Sequence, residues 1–193
     1  MLEQDRAGII QDVCSTLMEQ GLDPAIALLQ KEYPFVYQKR VGRSFTNYQA
    51  MQVFWRDGFI DRYTGRKLLF PGVLRLLSLV MPEAFPFHPN WKMSETHMAF
   101  WEMFPTIDHV EPIARGGANE ASNFVCCSML TNGAKANWTL AELGWTLHPA
   151  GDPKAWDGLT GWFLNYVDIH SKYKVNPYLR SWREAALKVK AES

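Results

Sequence analysis

The stretch Pro105–Trp138, PTIDHVEPIARGGANEASNFVCCSMLTNGAKANW, decides how this chain folds. It opens with a β-prone run, Thr106-Ile107-Asp108-His109-Val110, which Pro112 closes because proline has no N–H to give a ladder. A polar loop containing Arg115-Gly116-Gly117 follows, then a second β-prone run from Asn123 to Met129. After Thr131, the segment Asn132-Gly133-Ala134-Lys135 reads as the start of a helix. The expected unit is strand, loop, strand, helix. Asp108 and His109 are neighbours on its first strand, so their side chains leave opposite faces. Asn123 and Asn132 lie fifteen and twenty-four residues downstream of Asp108.

These residue types suit phosphodiester hydrolysis. The reaction needs a base for water, a hard cation on the phosphate and stabilisation of the leaving oxygen. Histidine serves as a base near neutral pH. Carboxylate and carboxamide oxygens suit magnesium, which usually keeps several of its waters. An isolated Asp-His dipeptide carries no such message. Asp-His, Pro, Gly-Gly, Asn, Asn and Lys, in this order on a β–loop–β–α frame, does.

The pattern resembles the HNH endonucleases, the ββα-metal or His-Me finger family. That resemblance implies an α+β fold, with an HNH core embedded in a mostly helical domain. It makes His109 the general base, and Asp108 and Asn132 the ligands of a magnesium or manganese ion. Asn123 becomes the amide that braces the loop and fixes the backbone around His109, completing the catalytic set. Lys135, one turn into the helix, matches a lysine able to contact phosphate, with an ordinary solvated lysine as the alternative; Arg115 stands between the same two readings. Gly116-Gly117 match a loop where glycine lets backbone approach the substrate. The implied activity is hydrolysis of DNA to 5′-phosphate and 3′-hydroxyl ends, in a restriction, defence or mobile-element setting. A homodimer would follow if both strands are cut.

The chain also departs from that family. Many members carry a four-cysteine zinc site, and aligning Gly65 and Asn132 places Asp61, Thr64, Ser128 and Thr131 at the thiolate positions. One carboxylate among neutral neighbours makes a poor zinc cage, so no structural zinc is expected. Hydrogen bonds and packing should hold that corner instead, the packing supplied by an insertion over about 71–104. Cys126 and Cys127 are out of register to substitute. His88 and His97 fall in a proline-rich loop and a predicted helix, and neither they nor His148 and His170 form a convincing second metal pair.

Outside the motif the chain reads as helical scaffold. Ile9, Ile10, Val13 and Leu17 share a helical face that Gly21 ends. Asp23-Pro24 signals a second helix running to Leu29, and Asn47 to Trp55 a third. Phe59 to Phe70 reads as a hairpin about Thr64-Gly65, Val73 to Met81 as an apolar helix, and Ser94 as the cap of a helix through Met103. Thr139 and Glu142 have capping-box spacing. Trp162 to His170 and Pro177 to Val189 are the last helices. These divide the chain into a helical region over 1–57, the core over 58–145 and a helical region over 146–193.

With 193 residues, 47% hydrophobic, the chain is long enough to bury a sizeable core. No apolar run is long enough to span a bilayer. The first residues, MLEQDRAGII, lack the basic flank of a secretory signal. Three cysteines make no disulfide framework. The expected compartment is cytoplasmic, without membrane association. Net charge is zero, which argues mildly against a nucleic-acid partner, but the charges are unevenly placed. From Gln38 to Lys67 seven basic residues face Asp57 and Asp61; from Ser171 to Lys190 six face only Glu184. Lys172, Lys174, Arg180 and Arg183 are accordingly candidate phosphate contacts, against the plainer reading of a solvated face. Trp91, Trp101, Trp138, Trp145 and Trp162 read as core before base-stacking platforms. Two rival functions stand beside the nuclease: a non-catalytic nucleic-acid-binding domain on the same fold, and a protein-interaction domain.

Overall fold

The computed structural model describes residues 5–37 and 44–193, which belong to two compact units, Met1–Arg40 and Val41–Ser193. In the first, α1 (Arg6–Gln20) and α2 (Leu22–Glu32) pack against each other. The Asp5 carboxylate caps α1 by accepting from the N–H groups of Ala7 and Gly8. Gly21 ends it at a φ of 92°. Helix α2 then begins at Leu22, ahead of the expected Asp23-Pro24 start, because a proline in the first turn has no intrahelical N–H bond to lose.

The second unit contains α3 (Asn47–Arg56), α4 (Pro71–Val80), α5 (Ala99–Met103), β1 (Pro105–His109), β2 (Phe124–Ser128), α6 (Met129–Lys135), α7 (Leu140–Leu143), α8 (Thr160–Ile169) and α9 (Pro177–Glu192). It is a mixed α+β structure, mostly helical. The strands pair antiparallel, from Pro105 opposite Ser128 to His109 opposite Phe124. Helix α3 packs on α9 and on both strands, so it belongs to this unit; the first compact unit ends well before residue 57. No helix among the described residues is long and apolar enough to cross a membrane.

The two faces of the hairpin meet different cores. Cys126 joins Met51 and Phe54 of α3, Phe59, Phe70, Phe163 of α8 and Trp182 of α9. Cys127 and Val125 pack with Tyr63, Leu140 and Trp145. A third cluster gathers Leu74, Phe100, Phe85, Phe87 and Trp91 within the 71–104 insertion. Its region is less regular than expected: Ser94 lies in a 3-10 turn, Thr96 is extended, and only α5 is helical. Thr96 is buried and accepts from the His88 N–H at 3.1 Å, a bond that competes with the helix.

Ser128 caps α6 by accepting from the Thr131 N–H at 3.0 Å, so the helix starts at Met129, three residues before Asn132. Two buried carboxylates tie this unit to the 57–67 turn. Asp61 accepts from Ser128 N at 3.0 Å and Thr131 Oγ1 at 2.8 Å through Oδ2, and from Tyr63 N at 3.0 Å through Oδ1. Asp57 accepts from Cys126 N at 2.8 Å and from Arg56 and Arg62. Asp61, Ser128 and Thr131 thus form one hydrogen-bonded corner, while Thr64 is exposed and gives Asp61 only its backbone N–H. Helix α5 packs on α6 and β2 beside it.

Candidate functional site

A cleft of about 410 Å³ opens along β1, between α3, α6 and α9. Asp108, His109 and Asn132 line it, together with Phe45, Phe54 and Trp182. Strand alternation puts Thr106 and Asp108 on the face covered by α6, and Ile107 on the α3 side. Because β1 is an edge strand, a side chain from either face can still reach the cleft.

His109 is held in place from two directions. Its ring packs edge-on against Phe124, centroids 5.0 Å apart. Its Nε2 lies 2.9 Å from Asn119 Oδ1. An amide oxygen only accepts, so Nε2 carries the proton and Nδ1 is the basic nitrogen. Nothing in the sequence marks Asn119, which lies in the polar loop among other small residues. Asn123 closes that loop: its Oδ1 accepts from Glu111 N at 2.8 Å, and its Nδ2 donates to Glu111 O at 2.9 Å and Ala118 O at 2.8 Å. Gly117 is demanded by the chain itself, since a Cβ there would meet the Glu111 carbonyl oxygen at 1.9 Å.

Asp108 is engaged on one oxygen. Its Oδ2 accepts from Tyr63 Oη at 2.7 Å and pairs with Lys135 Nζ at 2.9 Å. Burial, and then the Asp108 charge, push the Tyr63 phenol well above its ordinary range, so it remains a donor. Oδ1 takes part in neither contact. Asn132 donates from Nδ2 to Thr106 Oγ1 at 3.0 Å and Ile107 O at 3.3 Å, and among the described residues its Oδ1 has no partner. Asp108 and Asn132 carry hard oxygen donors and line the same cleft as His109. That set suits a magnesium-type ion, which takes few protein ligands and keeps waters. Among the described residues no three His, Cys, Asp or Glu side chains cluster as a metal site, so an amide oxygen is needed to complete any set here.

Several expected contacts lie elsewhere. Lys135 is fully buried; its Nζ donates to His109 O at 2.8 Å as well as binding Asp108. It is therefore an internal strut of the site rather than a surface phosphate contact. Arg115 pairs with Glu142 at 3.2 Å and donates to Asn137 O. Lys174 and Arg183 share Asp168 at 2.8 and 2.9 Å and hold that carboxylate below its usual range, Lys174 most strongly. Lys172 and Arg180 are exposed. Helix α9 reaches the cleft through Trp182. In the other basic stretch, Arg56 and Arg62 are bound to Asp57, while Lys39, Arg40 and Arg43 lie outside the described residues.

Three of the other four histidines are occupied locally, and His148 is exposed. His97 stacks on Phe85, His170 packs on Tyr166, and His88 lies 3.6 Å from Glu95. No protein-family model, curated protein or solved structure matches the chain.

Proposed function

We propose that this protein is a metal-dependent endonuclease of the HNH type that hydrolyses DNA phosphodiester bonds. The observation that carries the reading is the convergence of Asp108, His109 and Asn132 on one cleft at the end of a strand–strand–helix unit, with Asn123 closing the intervening loop.

Each side chain has work suited to its chemistry. Asn119 fixes the imidazole so that His109 Nδ1 can take the proton of the attacking water. Tyr63 and Lys135 orient Asp108 through Oδ2, and Thr106 orients Asn132 through Nδ2. The two remaining oxygens, Asp108 Oδ1 and Asn132 Oδ1, would hold a magnesium or manganese ion. Such an ion, when bound, neutralises charge on the phosphate and the leaving oxygen. The ends would be 5′-phosphate and 3′-hydroxyl. A non-catalytic DNA-binding domain is the second reading, supported by the Lys135 ammonium already on Asp108.

Supercoiled plasmid incubated with magnesium or with chelator separates the two. Magnesium-dependent nicking whose ends a ligase reseals directly is the expected result. Binding without any nicking, in magnesium or manganese, would reject the nuclease.

A further inference from the structure

A second pocket, of about 350 Å³, adjoins the catalytic cleft. Phe45 lines both. The link is a relay of edge-on rings: His109 against Phe124 at 5.0 Å, and Phe124 against Phe45 at 5.1 Å. We propose that this pocket, formed by Phe45, Gln49, Gln52, Arg56 and Phe124, holds one unstacked nucleobase of the DNA beside the phosphate attacked at His109. The proposal rests on the endonuclease reading above.

The chemistry of the lining points to a base. Phe45 and Phe124 offer aromatic surface, on which every base can stack. The Arg56 guanidinium is clamped flat: Nε and Nη2 bind Asp57, Nη1 donates to Ala121 O at 2.9 Å, and Nη2 to Phe124 O. A fixed guanidinium plane is a further stacking surface for bases. Its side chain is 44% exposed despite those bonds and lines the pocket.

Two amides supply directional readout. Gln49 and Gln52 lie three residues apart on α3 and so share a face. Gln49 uses only Oε1, accepting from Thr46 N at 2.9 Å in the cap of α3. Gln52 uses only Nε2, donating to Tyr48 Oη at 3.0 Å. Among the described residues, Gln49 Nε2 and Gln52 Oε1 have no partner. The pocket therefore presents one free donor and one free acceptor, the pairing that an exposed base edge complements. A volume of 350 Å³ falls at the small end of ligand pockets and is large enough for one base.

The test measures binding in a His109→Ala background without added metal. By fluorescence anisotropy, a duplex carrying one unpaired nucleotide is compared with the same duplex carrying an abasic residue there. The base-containing duplex is expected to bind about 5- to 150-fold more tightly, the range for one stacked base. Phe45→Ala should abolish that preference. Gln52→Leu, which keeps the pocket filled, should instead change which of the four bases is favoured. Equal affinity for the two duplexes, or a preference that both substitutions leave untouched, overturns the proposal. Plasmid nicking without base discrimination removes the pocket and keeps the nuclease. Discrimination without nicking does the reverse.

Discussion

Lys135 offers a sharp quantitative test, because its burial and its sequence context point to different behaviour. Replacing it with Met keeps the aliphatic stem and removes the ammonium. Nζ makes two contacts, 2.9 Å to Asp108 Oδ2 and 2.8 Å to His109 O, and the side chain has no exposed surface. Breaking a buried pair by removing one partner costs about 3–5 kcal/mol, since the other charge is left uncompensated. Here Tyr63 still donates to Asp108, which favours the lower end of that range. With a urea slope of about 2 kcal/mol per molar, the midpoint should fall by roughly 1.5–2 M. An exposed lysine would change stability by no more than about 0.5 kcal/mol. The double variant Asp108→Asn/Lys135→Met removes both charges and should recover part of the loss, a coupling that only a direct pair produces. A Lys135→Met midpoint within about 0.3 M of the parent would refute the buried-strut assignment, as would a double variant less stable than Lys135→Met alone.

Three further outcomes follow from the same geometry. Asp61→Ala removes the acceptor of the Ser128 and Tyr63 N–H groups and the Thr131 hydroxyl, so it should lower stability by about 2–4 kcal/mol in urea denaturation; the parent should keep its melting temperature in strong chelator. Asn119→Ala frees the His109 tautomer, so nicking should slow about tenfold or more, whereas an unchanged rate would remove Asn119 from the site. Burial pushes the thiols of Cys126 and Cys127 upward while Cys14 is exposed; since the thiolate is the reactive form, a thiol reagent at pH 8 should modify one cysteine per native chain and three after unfolding.

Much of the frame was legible because local signals agreed with tertiary ones. The β-prone runs around Asp108 and Cys126 became β1 and β2, shifted by a residue at their ends. The Thr139–Glu142 capping box caps α7 as its spacing implied. What could not be read was burial. Lys135 resembles any solvated lysine in isolation, yet Asn132 and Lys135 stand three apart on α6, so a helix that turns Asn132 to β1 must turn Lys135 there too. Asn119 and Tyr63 carry no local signature, since their roles depend on partners ten and forty-five residues away in sequence. The α6 start was hidden because Met129 and Leu130 continue an apolar run, and only the Ser128 side chain, bonded to Thr131 N, marks the change of period. Asp61 was identifiable as the one charge among neutral corner residues, but its three-sided hydrogen bonding required the fold.

Whether Asp108, His109 and Asn132 act as one hydrolytic site is decided by paired nicking and metal-binding measurements. His109→Ala should lower magnesium-dependent nicking of supercoiled DNA by about 10²–10⁴, the contribution of a positioned base, while manganese affinity measured by titration stays unchanged. Asn132→Ala should weaken both manganese binding and nicking. Nicking by His109→Ala at the parental rate would contradict the account.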